Sequence, residues 1–255
     1  MDGITRPPVA VVTGGAGGIG LATCAEFLSR GYSVAVMDCN EDGAASAAHS
    51  LRDSDNSVMA VIADVTDSIA IDAAMASVVH SFGGIDVLIN CAGTADRAPA
   101  AEITDQSWSR LIDIHLSGTF RCCRSAFQAL CDSSASSIVN MSSVAAHTGF
   151  PLRASYCAAK SGIESLTRSL AVEWAQHGIR VNAVAPTWVR TAILKEAVAS
   201  GALDEDTIEA ITPLGGVVEP VDVAKVIAFL SSADARMITG QSLLVDGAFV
   251  INPHI

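Results

Sequence analysis

The sequence predicts an α/β protein: a doubly wound parallel β-sheet with helices on both faces. Two observations predict it. Short apolar runs of strand length alternate along the chain with longer stretches of helical periodicity, and strand–helix alternation builds parallel sheets because each crossover needs a helix. The first run, Pro8 to Val12, opens directly into Thr13-Gly14-Gly15-Ala16-Gly17-Gly18-Ile19-Gly20. A helical pattern then sets Leu21, Cys24 and Leu28 on one face until Gly31 ends it. Strand, glycine turn and helix in that order form a phosphate-binding unit, since glycines let the backbone approach an anion and the helix N-terminus presents free N–H groups.

The remaining elements follow in order. Ser33 to Asp38 reads as the second strand and ends in a carboxylate. An Ala-rich helix (about 41 to 52) leads to a third strand, Val58 to Ile62, followed by Asp64-Val65. A helix with Ile71, Met75, Val78, Val79 and Phe82 on its apolar stripe starts at a capping Asp67. Asp86 to Ile89 is the fourth strand and runs into Asn90-Cys91-Ala92-Gly93. Residues 105–130 read as one long helix, with Ile112, Leu116 and Phe120 on a stripe that Cys123 and Phe127 continue. Ser137 to Met141 is the fifth strand, followed by Ser142-Ser143-Val144. The next helix carries Tyr156 and Lys160, with Ile163, Leu166 and Leu170 behind them. Ile179 to Ala185 is the sixth strand and ends in Pro186-Thr187-Trp188-Val189-Arg190-Thr191. Residues 192–215 are polar and helical without a strong core stripe, the pattern of a substrate lid. Pro220 then opens a helix striped by Val223, Val226, Ile227 and Leu230, and Ser242 to Val245 forms the last strand. No repeat or composition break interrupts the chain, so one dinucleotide-binding and catalytic domain is expected over residues 1–255.

Composition narrows the function. Half of the 255 residues are hydrophobic, which sets the chain apart from disordered sequences. With 15 Lys and Arg against 27 Asp and Glu, the net charge is −12, and an acidic chain repels nucleic-acid backbones. No apolar run reaches membrane-spanning length, and no secretory signal pattern is read at the start. The seven cysteines have no metal-ligand spacing and suit a reducing compartment. The expectation is a cytoplasmic protein with a small-molecule substrate, no metal and no membrane partner.

Two sets of residues carry chemistry. Asp38 lies 18 residues beyond Gly20, near the spacing of the acid that accepts hydrogen bonds from an adenosine ribose. A carboxylate there repels a 2′-phosphate, and no Lys or Arg in the glycine turn or directly after Asp38 stands ready to receive one, so NAD is favoured over NADP. Tyr156 and Lys160, spaced i, i+4, fall on one helix face. A phenol alone is too weak an acid for neutral pH, but an ammonium one turn away favours the phenolate, so the pair is a candidate acid/base unit.

Together these residues resemble the short-chain dehydrogenase/reductase (SDR) family over essentially the whole chain, from Val9 to about Val250. Thr13-Gly14-x-x-x-Gly18-x-Gly20 resembles its cofactor turn, Asn90-Cys91-Ala92-Gly93 its Asn-Asn-Ala-Gly segment, and Tyr156-x-x-x-Lys160 its catalytic pair. Ser143, 13 residues before Tyr156, stands where the family has its catalytic serine. The resemblance implies a Rossmann-type fold and hydride transfer between a secondary alcohol or ketone and nicotinamide. Tyr156 would move the proton, Ser143 orient the substrate oxygen, and Lys160 lower the Tyr156 pKa and hold the nicotinamide ribose. It assigns the cofactor to Gly14, Gly17, Gly18, Ile19, Gly20, Asp38, Asp64, Val65, Asn90, Ala92, Gly93, Tyr156, Lys160, Pro186, Val189 and Thr191. It also implies a homo-oligomer, most simply a homotetramer.

The chain departs from the family at several points. Cys91 replaces the second asparagine, Thr187 the glycine of a Pro-Gly pair, and Ala248 the last glycine of Asp-Gly-Gly. His115 stands where the family carries a catalytic asparagine, whose backbone carbonyl holds a relay water; a histidine keeps a carbonyl, so His115 joins the candidate catalytic residues. Ser143, His147, Arg153 and Trp188 are the candidate substrate residues, with Arg97 and Arg190 in neighbouring segments. Their polarity points to a sugar, polyol or hydroxy acid. Two other functions fit the fold: a dinucleotide sensor without chemistry, which has no need of Ser143, Tyr156 and Lys160 together, and an NADPH-dependent 3-oxoacyl-carrier reductase, which Asp38 and the acidic balance oppose.

Overall fold

Seven strands form one parallel sheet: β1 (Val9–Thr13), β2 (Ser33–Asp38), β3 (Val58–Ile62), β4 (Val87–Asn90), β5 (Ser137–Met141), β6 (Arg180–Pro186) and β7 (Ser242–Val245). They lie in the order β3-β2-β1-β4-β5-β6-β7. The computed structural model describes residues 6–53, 57–95, 97–201 and 203–252. Side chains alternate across the central strand. Val9 and Val11 enter one apolar cluster, while Ala10 and Val12 enter the other. That alternation explains why β1 is apolar at every position, since a sheet covered on both faces has no solvent side.

Three helices cover each face. α3 (Ser68–Phe82), α5 (Gly118–Cys131) and α6 (Ala154–Trp174) supply Ile71, Met75, Leu130 and Leu170 to the first cluster. α1 (Gly18–Ser29), α2 (Glu41–Leu51) and α9 (Pro220–Ser231) supply Phe27, Ala47, Val223 and Ile227 to the second. The start signals act as expected: the Asp67 carboxylate accepts from the amides of Ile69 and Ala70, and Pro220 occupies the first turn of α9. Val79 is a departure, since it lies on the solvent side of α3.

The long helix expected over residues 105–130 is broken. α4 (Asp105–Ile112) passes into a π-helical turn, Asp113–Ser117, before α5 begins. The wider turn shifts the stripe: Phe120 drops out of it, while Cys123 and Phe127 still pack on the core. Phe120 emerges at the surface beneath the Arg124 guanidinium, while Cys122, Cys123 and Ala126 face the core. Gly118 closes the turn where an added Cβ would stand 2.9 Å from the Val65 side chain.

Residues 192–215 also differ from expectation. α7 (Ala192–Ala199) and α8 (Glu205–Ile211) bury Leu194 and Ile208 against Val217, with Trp188, Val198 and Leu203 packed around them. The segment thus has a small core of its own, and too few residues carry it to show as periodicity. Among the described residues no helix is long and apolar enough to cross a membrane, and no His/Cys/Asp/Glu group is arranged to hold a metal.

Candidate active site

The strand order reverses direction between β1 and β4, and doubly wound sheets bind ligands beyond the strand ends at such a point. A continuous cleft of about 520 Å³ lies there, lined from Asp38 and the glycine turn to Tyr156, Trp188 and Leu203. Two glycines make the turn possible. Gly18 has φ +54°, and a Cβ on Gly20 would stand 2.1 Å from the Gly14 carbonyl oxygen. Gly17 is the N-cap of α1 without a side-chain cap, and a Cβ there would meet nothing within 4 Å. The first amides of α1 therefore open onto the cleft, and the donor set fits a pyrophosphate. Asp38 lines the same end, its carboxylate accepting from the Ala16 and Asn40 amides at 3.2 and 3.1 Å. Those bonds fix its position beside the turn, where it fits a ribose diol.

At the other end, β5 delivers Ser143 and α6 delivers Tyr156 and Lys160. Ser143 hydrogen-bonds the Tyr156 phenol, and its Oγ also accepts from the Ala145 amide at 3.2 Å. Lys160 is buried and donates to the Met141 carbonyl at 2.6 Å, with its Nζ 5.5 Å from the Tyr156 ring centre. Burial pushes its ammonium down to about 8. The phenol behaves differently from the simple i, i+4 expectation. Burial raises its pKa, and the opposing influences are the Ser143 hydrogen bond and the Arg153 charge. Tyr156 is therefore protonated at neutral pH.

His115 sits on the π turn and lines the cleft. Its ring meets Tyr156 edge to face, centroids 5.5 Å apart at 88°. Room for the imidazole exists because residue 93 is glycine: a Cβ there would stand 2.6 Å from the ring. Nε2 lies 2.9 Å from the Thr94 carbonyl and 3.1 Å from its amide, so either tautomer finds one partner. Nδ1 is buried with none among the described residues. Burial, helped by the Lys160 charge, drives the imidazole down to about 3, so it is neutral at pH 7. The backbone carbonyl, expected to hold a relay water, already accepts from the Thr119 hydroxyl at 2.7 Å and from the Gly118 N–H.

This geometry makes a two-part prediction for His115→Asn. Activity should stay within about tenfold of the parent, a barrier change of ~1.4 kcal/mol or less. Acid stability should improve. The folded imidazole titrates near 3 and the unfolded one near 6.5, so only the unfolded chain takes up this proton in between. The stability present above pH 6.5 is lost as pH falls toward 3. Between pH 7 and 4.5 the parent Tm should therefore fall further than that of the variant; parallel Tm curves would contradict a buried neutral ring.

The other expected site residues divide into two groups. Gly14, Gly17, Gly18, Ile19, Gly20, Asp38, Gly93, Pro186, Val189 and Thr191 all line the cleft, as do Arg153 and Trp188. Asp64, Val65, Asn90 and Ala92 are not in its wall. The Asp64 carboxylate is turned to the amide and hydroxyl of Thr66, and Val65 packs on Gly118. The buried Asn90 amide donates to Asn140 Oδ1 at 2.9 Å, and Asn140 in turn donates to Thr167, a chain that ties β4 and β5 to α6. The Ala92 amide bonds Thr13 Oγ1 at 3.1 Å. His147, a substrate candidate, is not in the cleft wall: its Nε2 lies 2.9 Å from Glu164 Oε1, a buried carboxylate that also accepts from Ser142 and Ser242. Arg190, in a neighbouring segment, is held between Glu205 and Glu219 where α8 and α9 begin. Arg97 is exposed and outside the cleft wall. Sequence reasoning missed Phe150, which lines the cleft 5.7 Å from Trp188, and Phe249, 4.8 Å behind Trp188. An aromatic residue so soon after Ser143 was the available sign.

Comparisons with known proteins agree with this architecture. A family model described as enoyl-(acyl carrier protein) reductase matches residues 14–249. A D-threitol dehydrogenase of Mycolicibacterium smegmatis is 36% identical over 243 residues, covering 95% of this chain and 93% of that protein. A cis-4-hydroxycyclohexanecarboxylate dehydrogenase of Sinomonas cyclohexanicum is 40% identical over 242 residues, covering 94% of this chain and 96% of that protein. The crystal structure of an actinorhodin polyketide ketoreductase variant with NADPH has a TM-score of 0.91 at 31% identity, covering 96% of this chain and 97% of that one. The chain belongs to the short-chain dehydrogenase/reductase family. It is an oxidoreductase of a family that binds a nicotinamide dinucleotide.

Proposed function

We propose that this protein is an NAD(H)-dependent oxidoreductase that interconverts a secondary alcohol and its ketone. The observation that carries the proposal is the Ser143–Tyr156 hydrogen bond, with Lys160 buried one turn on, at one end of a cleft whose other end is the glycine turn. Nicotinamide supplies the hydride acceptor or donor when bound. The amides at the start of α1 hold its pyrophosphate, and Asp38 holds the adenosine ribose. The Tyr156 hydroxyl carries the proton to the ketone oxygen, and in the reverse direction its phenolate takes the proton from the alcohol. Ser143 shares that oxygen and orients it. The names of the threitol and hydroxycyclohexanecarboxylate relatives support an alcohol or hydroxy acid as substrate. Initial rates with a panel of secondary alcohols and NAD, followed by NADH absorbance, test the reading. NAD binding without hydride transfer across the panel would favour the sensor instead.

NAD rather than NADP rests on Asp38. Its carboxylate repels a 2′-phosphate, and its neighbour Cys39 is exposed, so a longer side chain fits there. Asp38→Ala combined with Cys39→Arg should narrow or reverse the preference, because it removes the repulsion and adds a bidentate phosphate partner. The ratio of kcat/KM for the two cofactors is the measurement. A parent enzyme that already uses NADP with the lower KM would refute the assignment.

A further inference from the structure

Four consecutive residues at the end of β5 each reach across to α6. Asn140 donates to Thr167 at 2.9 Å, and the Met141 carbonyl accepts from Lys160 at 2.6 Å. Ser142 donates to Glu164 Oε1 at 2.9 Å, and Ser143 bonds the Tyr156 phenol. Tyr156, Lys160 and Glu164 stand at i, i+4 and i+8, so a single helix face supplies three of these partners. The mechanism above uses Tyr156 and Lys160. Glu164 has no part in it, yet it is a carboxylate only 8% exposed.

Packing does not account for a carboxylate at this position. An aliphatic side chain would fill the same space, and a buried anion is tolerated only where donors surround it. Three donors meet at Glu164 Oε1: the Ser142 hydroxyl at 2.9 Å, the Ser242 hydroxyl of β7 at 2.6 Å, and His147 Nε2 at 2.9 Å. A carboxylate oxygen accepts, so Nε2 carries the imidazole hydrogen. Ser142 and His147 flank Ser143. Ser142 precedes it directly. His147 ends the short 3₁₀ turn, Val144–Ala146, that Ser143 caps. Within that turn the Ala146 amide donates to the Ser143 carbonyl and the His147 amide to the Val144 carbonyl, each at 2.9 Å. A carboxylate on the Tyr156 helix therefore grips the Ser143 turn at both ends.

We infer that Glu164 is a positioning residue for the reaction, holding Ser143 at hydrogen-bond distance from Tyr156. The inference rests on the oxidoreductase reading above and adds a residue to the same site. In that reading Ser143 and Tyr156 share the substrate oxygen, so their separation fixes where the oxygen sits. Glu164 is outside the cleft wall, so it acts through Ser143 rather than on the substrate. A charged acceptor makes shorter and stronger hydrogen bonds than a neutral one, which suits a clamp that keeps a turn against a helix while substrate and product exchange. His147 is the outer arm of the clamp, and Ser142 the inner one.

The test is a double-mutant cycle between Glu164 and Ser143, read as kcat with NAD and the secondary alcohol oxidised fastest in the panel above. Glu164→Leu removes the shared acceptor and should lower kcat by about 10- to 100-fold, the cost of misplacing a reacting group by about an ångström. NADH affinity, measured by fluorescence, should not change. Glu164→Gln keeps an acceptor oxygen and should recover most of the rate. In a Ser143→Ala background the same Glu164→Leu change should alter kcat by less than about threefold, because the atom it positions is gone. His147→Ala removes the exposed arm and should show the same pattern with a smaller loss, so the cycle can be read even if Glu164→Leu does not fold. A role confined to stability would lower Tm without this dependence on Ser143. Losses that multiply with that of Ser143→Ala, or parental kcat in both Glu164→Leu and His147→Ala, would overturn the positioning role and leave the oxidoreductase reading standing. Absence of hydride transfer by the parent with every alcohol would overturn both.

Discussion

Tyr156→Phe is expected to lower kcat/KM by about 10²- to 10⁴-fold, the usual contribution of a positioned proton donor, while NADH still binds. The substitution removes one oxygen and keeps the ring, so the edge-to-face packing on His115 and the helix face around it remain. What is lost is the hydroxyl that Ser143 hydrogen-bonds. Burial holds this phenol protonated at neutral pH, the form that can donate to a ketone oxygen. In the alcohol direction the same oxygen must accept a proton, so the loss should appear both ways. Steady-state rates in each direction, with NADH binding measured separately by fluorescence, make the comparison. Unchanged turnover with intact binding would remove Tyr156 from the mechanism. A parallel loss of NADH affinity would mean that the ring had shifted.

Much of this site was legible in the sequence because its parts are local. The glycine turn sits between its strand and its helix, and Asp38 ends the strand that pairs with β1. Tyr156 and Lys160 share a helix face by spacing alone. What was not legible depends on distant partners. The stripe of Ile112, Leu116 and Phe120 satisfies a 3.6-residue period, yet a π turn cuts it where His115 packs against Gly93 and Tyr156. Nothing near His115 in the chain announces those neighbours. Asn90 looks like a residue facing the cofactor until Asn140 is placed beside it on β5. His147 finds its carboxylate on the middle of α6. The aromatic wall joins Phe150 to Phe249 across almost the whole second half of the chain. Of the three arginines in the substrate segments, Arg190 is taken by carboxylates at the starts of α8 and α9, Arg153 lines the cleft and Arg97 lies outside its wall.

Lys160→Met should separate stability from function more sharply than any other substitution in the molecule. Under the proposed reading, activity should fall by the order of 10²-fold, the effect of removing one preorganised charged donor from a water-poor site. NADH should bind more weakly by about tenfold, as one charged hydrogen bond is lost. Stability should barely change. The ammonium is buried, and burial lowers its pKa from the ordinary 10.5 to about 8. At about 1.4 kcal/mol per pKa unit, keeping it charged at pH 7 costs about 3 kcal/mol of folding free energy. Methionine fills the space without that cost but leaves the Met141 carbonyl unpaired, a penalty of about 1–3 kcal/mol. The two oppose each other, so Tm at pH 7 should stay within about 4 °C of the parent. The pH dependence gives the sign. Between about pH 8 and 10.5 the unfolded chain keeps a proton on Lys160 that the folded chain has released, so the parent gains stability with rising pH and the variant does not. Tm measured across that window should climb in the parent relative to Lys160→Met. A parent that instead loses stability relative to the variant as pH passes 8 would show that the buried ammonium is held by more than the Met141 carbonyl and stabilises the fold in its charged form.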